Sequence, residues 1–232
     1  MTSFSDSLSI VGGSAFFFAL AWLARGSVSI GLIDRPLVLG LLAGYFTEQW
    51  AVAVPLGIVL ELFWLDVIPL GPVLSPTGAL SYLLTFSMSL LFALHSPGQL
   101  VLPLFFAMGC AYASIWLERR QRMRANALVE TMFACEGRLS PDAVVYASLG
   151  GRIAQQVGLY VLCFYALYGI LHIMLATLPN GIPFVPGITW ESLYGVGAVG
   201  ALLALRTRRA YAVLGICLFV MTAMRMGLLE GL

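Results

Sequence analysis

Residues 31–70, GLIDRPLVLGLLAGYFTEQWAVAVPLGIVLELFWLDVIPL, decide how this chain folds. The stretch is largely apolar, yet prolines, glycines and charged residues interrupt it along its whole length. Proline removes a backbone donor and breaks or kinks a helix, and freed backbone groups survive in a bilayer only when they are buried in protein or line a watery cavity. The pattern therefore predicts broken or re-entrant helices in the N-terminal half, rather than two plain membrane spans.

The composition of the chain indicates that lipid is its solvent. Of 232 residues, 60% are hydrophobic and 10% are charged, whereas soluble domains carry about 25% charged residues. Uncharged runs of roughly the length needed to cross a bilayer lie on both sides of the interrupted stretch. They cover residues 7–24, 74–94, 98–117 and 155–178, with shorter runs at 192–205 and 210–224. We expect an all-α, polytopic membrane helix bundle that forms a single domain over residues 1–232.

The charge pattern predicts the orientation of the later helices. Arginines cluster at 119–124, directly after one apolar run, and again at 206–209, two runs later, so both clusters fall on one side. Basic residues near span ends usually face the cytoplasm, and they can also hold lipid headgroups. Residues 118–154 are therefore predicted to form a polar cytoplasmic loop. The net charge of +1 gives no reason to expect a nucleic-acid partner.

Glu61 is the strongest candidate for a functional residue. It is the only charged residue in the apolar run 51–65, and ionisable residues inside a membrane usually face a cavity or a partner. Its carboxylate could accept hydrogen bonds from sugar hydroxyls, and Trp64 could supply an apolar face for a pyranose ring. The alternative is that Glu61 pairs with Arg35 or with a backbone donor as a packing element.

Each of the other polar residues of the region could bind a substrate or have a purely structural role. Asp34 and Arg35 could form an ordinary turn before Pro36, Asp66 could be interfacial, and Glu48 suits a polar surface turn. No combination of nucleophile, base and orienting group is present in the sequence, so no catalytic residue is predicted. The four widely spaced cysteines read as packing residues, and we expect neither a metal ion nor another cofactor.

Residues 31–82 resemble the N-terminal half of the IIC subunit of mannose/fructose/sorbose-class phosphotransferase systems. The matching pieces are Arg35-Pro36-Leu37, a glycine-containing apolar run, an acidic position at Glu48, Leu60-Glu61, a passage around Gly71, and Pro76 before another helix. The family usually has aspartate at the position of Glu48. It commonly has Pro-Asp where this chain has Pro76-Thr77, and a Gly-Gln pair where this chain has Gly109-Cys110.

The resemblance implies a subunit that binds and moves a hexose-type sugar across the bacterial inner membrane. It implies a membrane partner, IID, the cytoplasmic phosphocarriers IIB and IIA, and an oligomer of IIC–IID within membrane lipid. IIB, and not this chain, would phosphorylate the sugar. The substrate-binding residues implied by sequence and resemblance together are Glu61, Asp34, Arg35, Trp64, Asp66, Glu48 and Thr77.

Two other functions fit the same sequence. The chain could be a substrate-binding membrane module of another uptake system. It could also be a non-transporting scaffold or sensor that recruits phosphotransferase components through residues 118–154. Loss of sugar uptake on Glu61→Gln at a normal protein level would separate a transporter from a scaffold.

Overall fold

The computed structural model describes residues 4–23, 34–65, 76–134, 141–177 and 187–204, together with residues 212, 215 and 216. Within these residues the regular structure is entirely helical, in seven α-helices and without a strand. The all-α fold class is therefore confirmed. The helices are α1 (Phe4–Leu23), α2 (Pro36–Thr47), α3 (Trp50–Phe63), α4 (Gly78–Phe92), α5 (Pro97–Ala134), α6 (Pro141–Thr177) and α7 (Trp190–Ala204).

Over its described residues, 34–65, the interrupted stretch folds into two short helices, α2 and α3. α2 has 12 residues and α3 has 14, so each is only about 18–21 Å long at 1.5 Å per residue. Pro36 opens α2, where a missing N–H does no harm. Glu48 ends α2 in the left-handed conformation, with φ at 58°, which turns the chain before α3 begins. Pro55 lies inside α3 without ending that helix, so this proline is not a break point.

Glycines let α2 and α3 pack with their backbones in contact. A Cβ on Gly40 would lie 2.8 Å from the carbonyl oxygen of Ala53, and one on Gly57 would lie 2.9 Å from the carbonyl oxygen of Pro36. Real Cβ atoms essentially never come so close. The two helices therefore form a tight hairpin, which we call the α2–α3 hairpin, in which small residues set the helix spacing.

α4 is the central helix of the molecule. It packs against α1, α2, α3, α5 and α6, and almost every side chain along it is buried. At 15 residues it is shorter than the predicted run 74–94, whose first residues lie outside the described part of the chain. Its hydroxyl groups bond locally, as Ser81 does to the carbonyl of Gly78 and Thr85 to that of Ser81. α4 thus supplies a buried core against which five of the other six described helices pack, whereas α7 packs against α3.

α5 and α6 correct the prediction of a polar loop at 118–154. α5 continues to Ala134 and α6 begins at Pro141, so most of that segment is helical, and residues 135–140 lie outside the described part. The two helices have 38 and 37 residues. The polar sequence lacks a helix-breaking residue between 118 and 134, which explains why α5 does not stop where its apolar run ends.

Two helical segments of the described chain are long and apolar enough to cross a membrane. They are Pro97–Arg124 in α5 and Ser148–Thr177 in α6. α1, α2, α3 and α4 contribute shorter apolar helices. The predicted run 210–224 falls almost wholly outside the described residues.

Candidate functional site

An ion pair connects the start of α2 with the last turn of α3. Arg35 donates a hydrogen bond from Nη1 to Oε1 of Glu61 at 2.9 Å. The Arg35 side chain is 54% exposed and that of Glu61 is 22% exposed. Arg35 occupies the N-cap of α2 and makes no side-chain cap, so its positive charge stands at the positive end of the helix dipole. The negative carboxylate of Glu61 offsets the charge of Arg35 and the partial positive charge at the start of α2.

The close hairpin contact explains how these two side chains meet. Gly57 lies one turn before Glu61, and the backbone of Pro36 passes against it. Any larger residue at position 57 would push the first turn of α2, and Arg35 with it, away from α3. The sequence reading that Glu61 pairs with Arg35 is thus seen in the structure, although the pair uses only one carboxylate oxygen.

The start of α4 lies at the same end of the hairpin. A Cβ on Gly78 would lie 2.9 Å from Cγ of Pro36 and 3.6 Å from Cδ1 of Trp64. The first turns of α2 and α4 and the last turn of α3 therefore converge. We call this place the junction, and define it by Arg35, Glu61, Trp64 and Thr77.

α5 closes the junction from a third side. Thr77 is buried, and its Oγ1 lies 2.9 Å from Oγ of Ser114 in a hydrogen bond. The ring of Trp64 meets that of Tyr112 edge to face, with centroids 5.5 Å apart. Trp64 is itself buried, so its ring faces are covered by protein and do not form an open platform for a sugar ring.

The junction leaves one acceptor and one donor unused. Oε2 of Glu61 and Nε1 of Trp64 are both buried and have no hydrogen-bonding partner among the described residues. The two residues are three apart in sequence, a spacing that puts side chains on the same helix face. An ionised carboxylate only accepts hydrogen bonds and an indole N–H only donates. A hydroxyl group does both, so a hydroxylated molecule matches this pair of atoms.

The structure brings some predicted residues together and separates others. Asp34 is partly buried and directly precedes Arg35, so it shares that end of the hairpin. Glu48 is exposed at the turn between α2 and α3, thirteen residues before Glu61, which is about 20 Å along a helix. Glu48 therefore does not belong to the junction. Asp66 lies outside the described residues.

A separate cavity lies between α1, α2 and α4. It has a volume of about 170 Å³ and is lined mainly by apolar side chains, including Phe17, Phe46 and Phe86. Two of its hydroxyls already donate to backbone carbonyls, Ser14 to Ile10 and Thr47 to Ala43. None of the predicted site residues lines this cavity, and its walls do not suit a sugar.

Sequence reasoning missed the residues that α5 contributes. Ser114 and Tyr112 lie in an apolar helix far from the interrupted stretch, and only the fold shows that they reach Thr77 and Trp64. A serine within a predicted membrane helix was the one available signal. Among the described residues, no cluster of three or more His, Cys, Asp or Glu side chains could hold a metal ion.

Comparison with known proteins gives no relative of this chain. No protein-family model, curated protein or solved structure matches it.

Proposed function

We propose that this chain is a multi-pass membrane subunit that binds and translocates a hexose-type sugar. In this proposal it acts as the IIC subunit of a mannose/sorbose-class phosphotransferase system in the bacterial inner membrane. A IID subunit would be its membrane partner, and a cytoplasmic IIB subunit, fed by IIA, would phosphorylate the sugar.

The unused pair of polar atoms at the junction carries this proposal. Oε2 of Glu61 and Nε1 of Trp64 are buried without a partner among the described residues, and buried polar groups are stable only when hydrogen-bonded. One sugar hydroxyl can donate to Glu61 and accept from Trp64. A cation would satisfy only the carboxylate, and an anion only the indole. Arg35 holds the Glu61 side chain in place through its other carboxylate oxygen, Oε1.

The outer surface of the long helices supports a membrane location. Large apolar side chains on the two candidate spans point outward, with Phe105 65% and Leu162 68% exposed. Further large apolar side chains on these two helices are also exposed, including Tyr112, Trp116 and Ile173, and extensive exposed apolar surface is unusual in soluble monomers. Arg120 stacks over the ring of Trp116 at 3.7 Å, and tryptophan and arginine together are typical of a bilayer boundary. The short α2–α3 hairpin, packed against α4 and α7, would be the re-entrant part of the bundle.

The length of α5 and α6 supports contact with soluble partners. At 1.5 Å per residue both helices are about 55 Å long, well beyond the roughly 30 Å hydrocarbon core of a bilayer. The polar part of α5 begins with the arginines at 119–124. By the positive-inside rule, we expect this end of the helix to lie on the cytoplasmic side. A helical projection there would be available to a phosphocarrier such as IIB.

Sugar uptake in cells tests the proposal. Cells in which this chain is the only route for D-mannose, D-fructose or L-sorbose are compared with cells that carry Glu61→Gln or Trp64→Phe. Glu191→Gln, an exposed acid in the first turn of α7, is the matched control. We expect both junction variants to lose at least nine-tenths of the uptake at a normal protein level, and the control to keep it.

Two outcomes would contradict the proposal. Normal uptake by Glu61→Gln would show that the junction is not the binding site. Absence of uptake and of sugar binding in the wild-type chain, with a IIB protein still captured from the cytoplasm, would favour the scaffold or sensor function instead.

A further inference from the structure

A glutamine stands in the buried stripe of α6 where an apolar residue would be expected. The stripe follows helical spacing and is otherwise formed by Tyr160, Cys163, Phe164, Leu167 and Leu171. Gln156 continues it by one turn toward the start of the helix and is only 1% exposed. A side chain with four hydrogen-bonding capacities therefore occupies a core position.

The amide of Gln156 is unused in the described structure. Neither its nitrogen nor its oxygen has a hydrogen-bonding partner among the described residues. Its neighbour in sequence, Gln155, accepts a bond from Nε2 of the buried Gln121 at 2.9 Å. Buried polar side chains in native proteins are nearly always paired. Within this group, which we call the glutamine cluster (Gln121, Gln155 and Gln156), Gln121 and Gln155 bond to each other, whereas Gln156 has no partner among the described residues.

The glutamine cluster lies in line with the junction. Ser114, which bonds to Thr77, and Gln121 are seven residues apart on α5, and both are buried. Seven residues are almost two complete turns, so the two side chains lie on the same helix face about 10 Å apart. The direction from Ser114 to Gln121 leads toward the arginine-rich part of α5.

We propose that the glutamine cluster is a second binding site for the same hydroxylated, uncharged solute, occupied after the junction and nearer the arginine-rich end. This inference rests on the proposed function. An amide offers donors and an acceptor to hydroxyl groups without a charge, and neutral hydrogen bonds are weaker than those to a carboxylate. A solute would thus be held more firmly at Glu61 and less firmly at Gln156, which suits a site from which it is released.

The test separates binding at the junction from passage through the glutamine cluster. Gln156→Met removes the amide and keeps the length of the side chain. Leu167→Met, at another fully buried position of the same stripe, controls for introducing methionine into the core. Three quantities are measured for each variant: uptake of D-mannose, D-fructose and L-sorbose in cells, equilibrium binding of the same sugars to the purified chain, and thermal unfolding without sugar.

We expect Gln156→Met to lower uptake at least tenfold while the Kd at the junction stays within twofold. Because the variant removes an unpaired buried amide, its midpoint of unfolding should stay the same or rise. Leu167→Met should keep both uptake and binding. Uptake by Gln156→Met within twofold of the wild type would overturn the inference and leave the proposed function standing. A clear fall in its unfolding midpoint would show that the amide is paired in the resting protein and would also overturn it. A wild-type chain that neither binds nor takes up these sugars would overturn the proposed function and this inference with it.

Discussion

Arg35 and Glu61, 26 residues apart in sequence, form a 2.9 Å hydrogen-bonded ion pair that joins the two ends of the α2–α3 hairpin. The pair occupies one oxygen of the carboxylate and leaves the other buried without a partner among the described residues. A side chain used only for packing would be expected to satisfy both oxygens. The half-used carboxylate is therefore the feature on which the proposed binding function depends.

The ion pair should matter more for binding than for stability. Because the arginine side chain is more than half exposed, solvent screens the pair, and exposed pairs contribute about 0–1 kcal/mol. We expect Arg35→Gln to change the free energy of unfolding by less than about 1 kcal/mol and to weaken sugar binding at least tenfold. Unfolding in detergent and sugar binding are measured on the same sample. A loss of several kcal/mol with unchanged binding would contradict this.

The hairpin contact gives a pair of glycine variants with different expected effects on the free energy of unfolding. A Cβ at position 57 would lie 2.9 Å from a backbone oxygen of α2, whereas nothing lies within 4 Å of one at position 109. We expect Gly57→Ala to destabilise the protein by about 1–3 kcal/mol through overpacking. Gly109→Ala should be neutral or stabilising by up to about 1 kcal/mol, because alanine favours a helix. Thermal unfolding of both variants checks the prediction, and equal effects would refute the close contact.

The hydrogen bond between Thr77 and Ser114 can be isolated with a double-mutant cycle. Thr77→Val and Ser114→Ala each remove one hydroxyl of the buried pair. A buried neutral hydrogen bond contributes about 0.5–1.5 kcal/mol, so the interaction energy from the cycle should fall in that range. Additive effects of the two substitutions would show that α4 and α5 do not meet here.

Two buried thiols report on the packing of α5 against α6. Cys110 on α5 and Cys163 on α6 are free and buried, and the two helices pack against each other. In a chain with Cys135→Ser and Cys217→Ser, the membrane-permeant oxidant diamide should take two electrons and two protons from this pair and join the sulfurs. After denaturation, a maleimide polymer should label two thiols before oxidation and none after it.

A single-cysteine control completes that experiment. With Cys163→Ser added, one thiol should be labelled both before and after diamide. Two labelled thiols after oxidation in the chain that keeps both residues would show that α5 and α6 pack differently.

Prolines and glycines that interrupt residues 31–70 were visible in the sequence and predicted broken helices there. The hairpin itself was not predicted, because its close contacts at Gly40 and Gly57 join residues of two different helices. The prediction that prolines break the helices was wrong for Pro55, which lies inside α3. A proline can remain within a helix when packing against neighbouring helices compensates for the lost hydrogen bond. α5 was predicted too short because polarity was taken as a sign of a loop, although arginine and glutamine are good helix formers.

Only part of the candidate site could be predicted from the sequence. Glu61 and Arg35 could be named because a charge in an apolar run is unusual. The contacts of Thr77 with Ser114 and of Trp64 with Tyr112 join residues 37 and 48 positions apart, and no local pattern specifies such pairs. Gln156 lies at the start of the predicted apolar run 155–178, and its burial without a partner among the described residues could be seen only once the packing of α6 was known.

The decisive measurement is equilibrium binding of radiolabelled D-mannose, D-fructose and L-sorbose to the purified wild-type chain and to Glu61→Gln. We expect saturable binding of at least one sugar to the wild type and an affinity at least tenfold lower for the variant, with equal unfolding temperatures for the two proteins. The same affinity in both proteins would show that Glu61 does not bind the sugar.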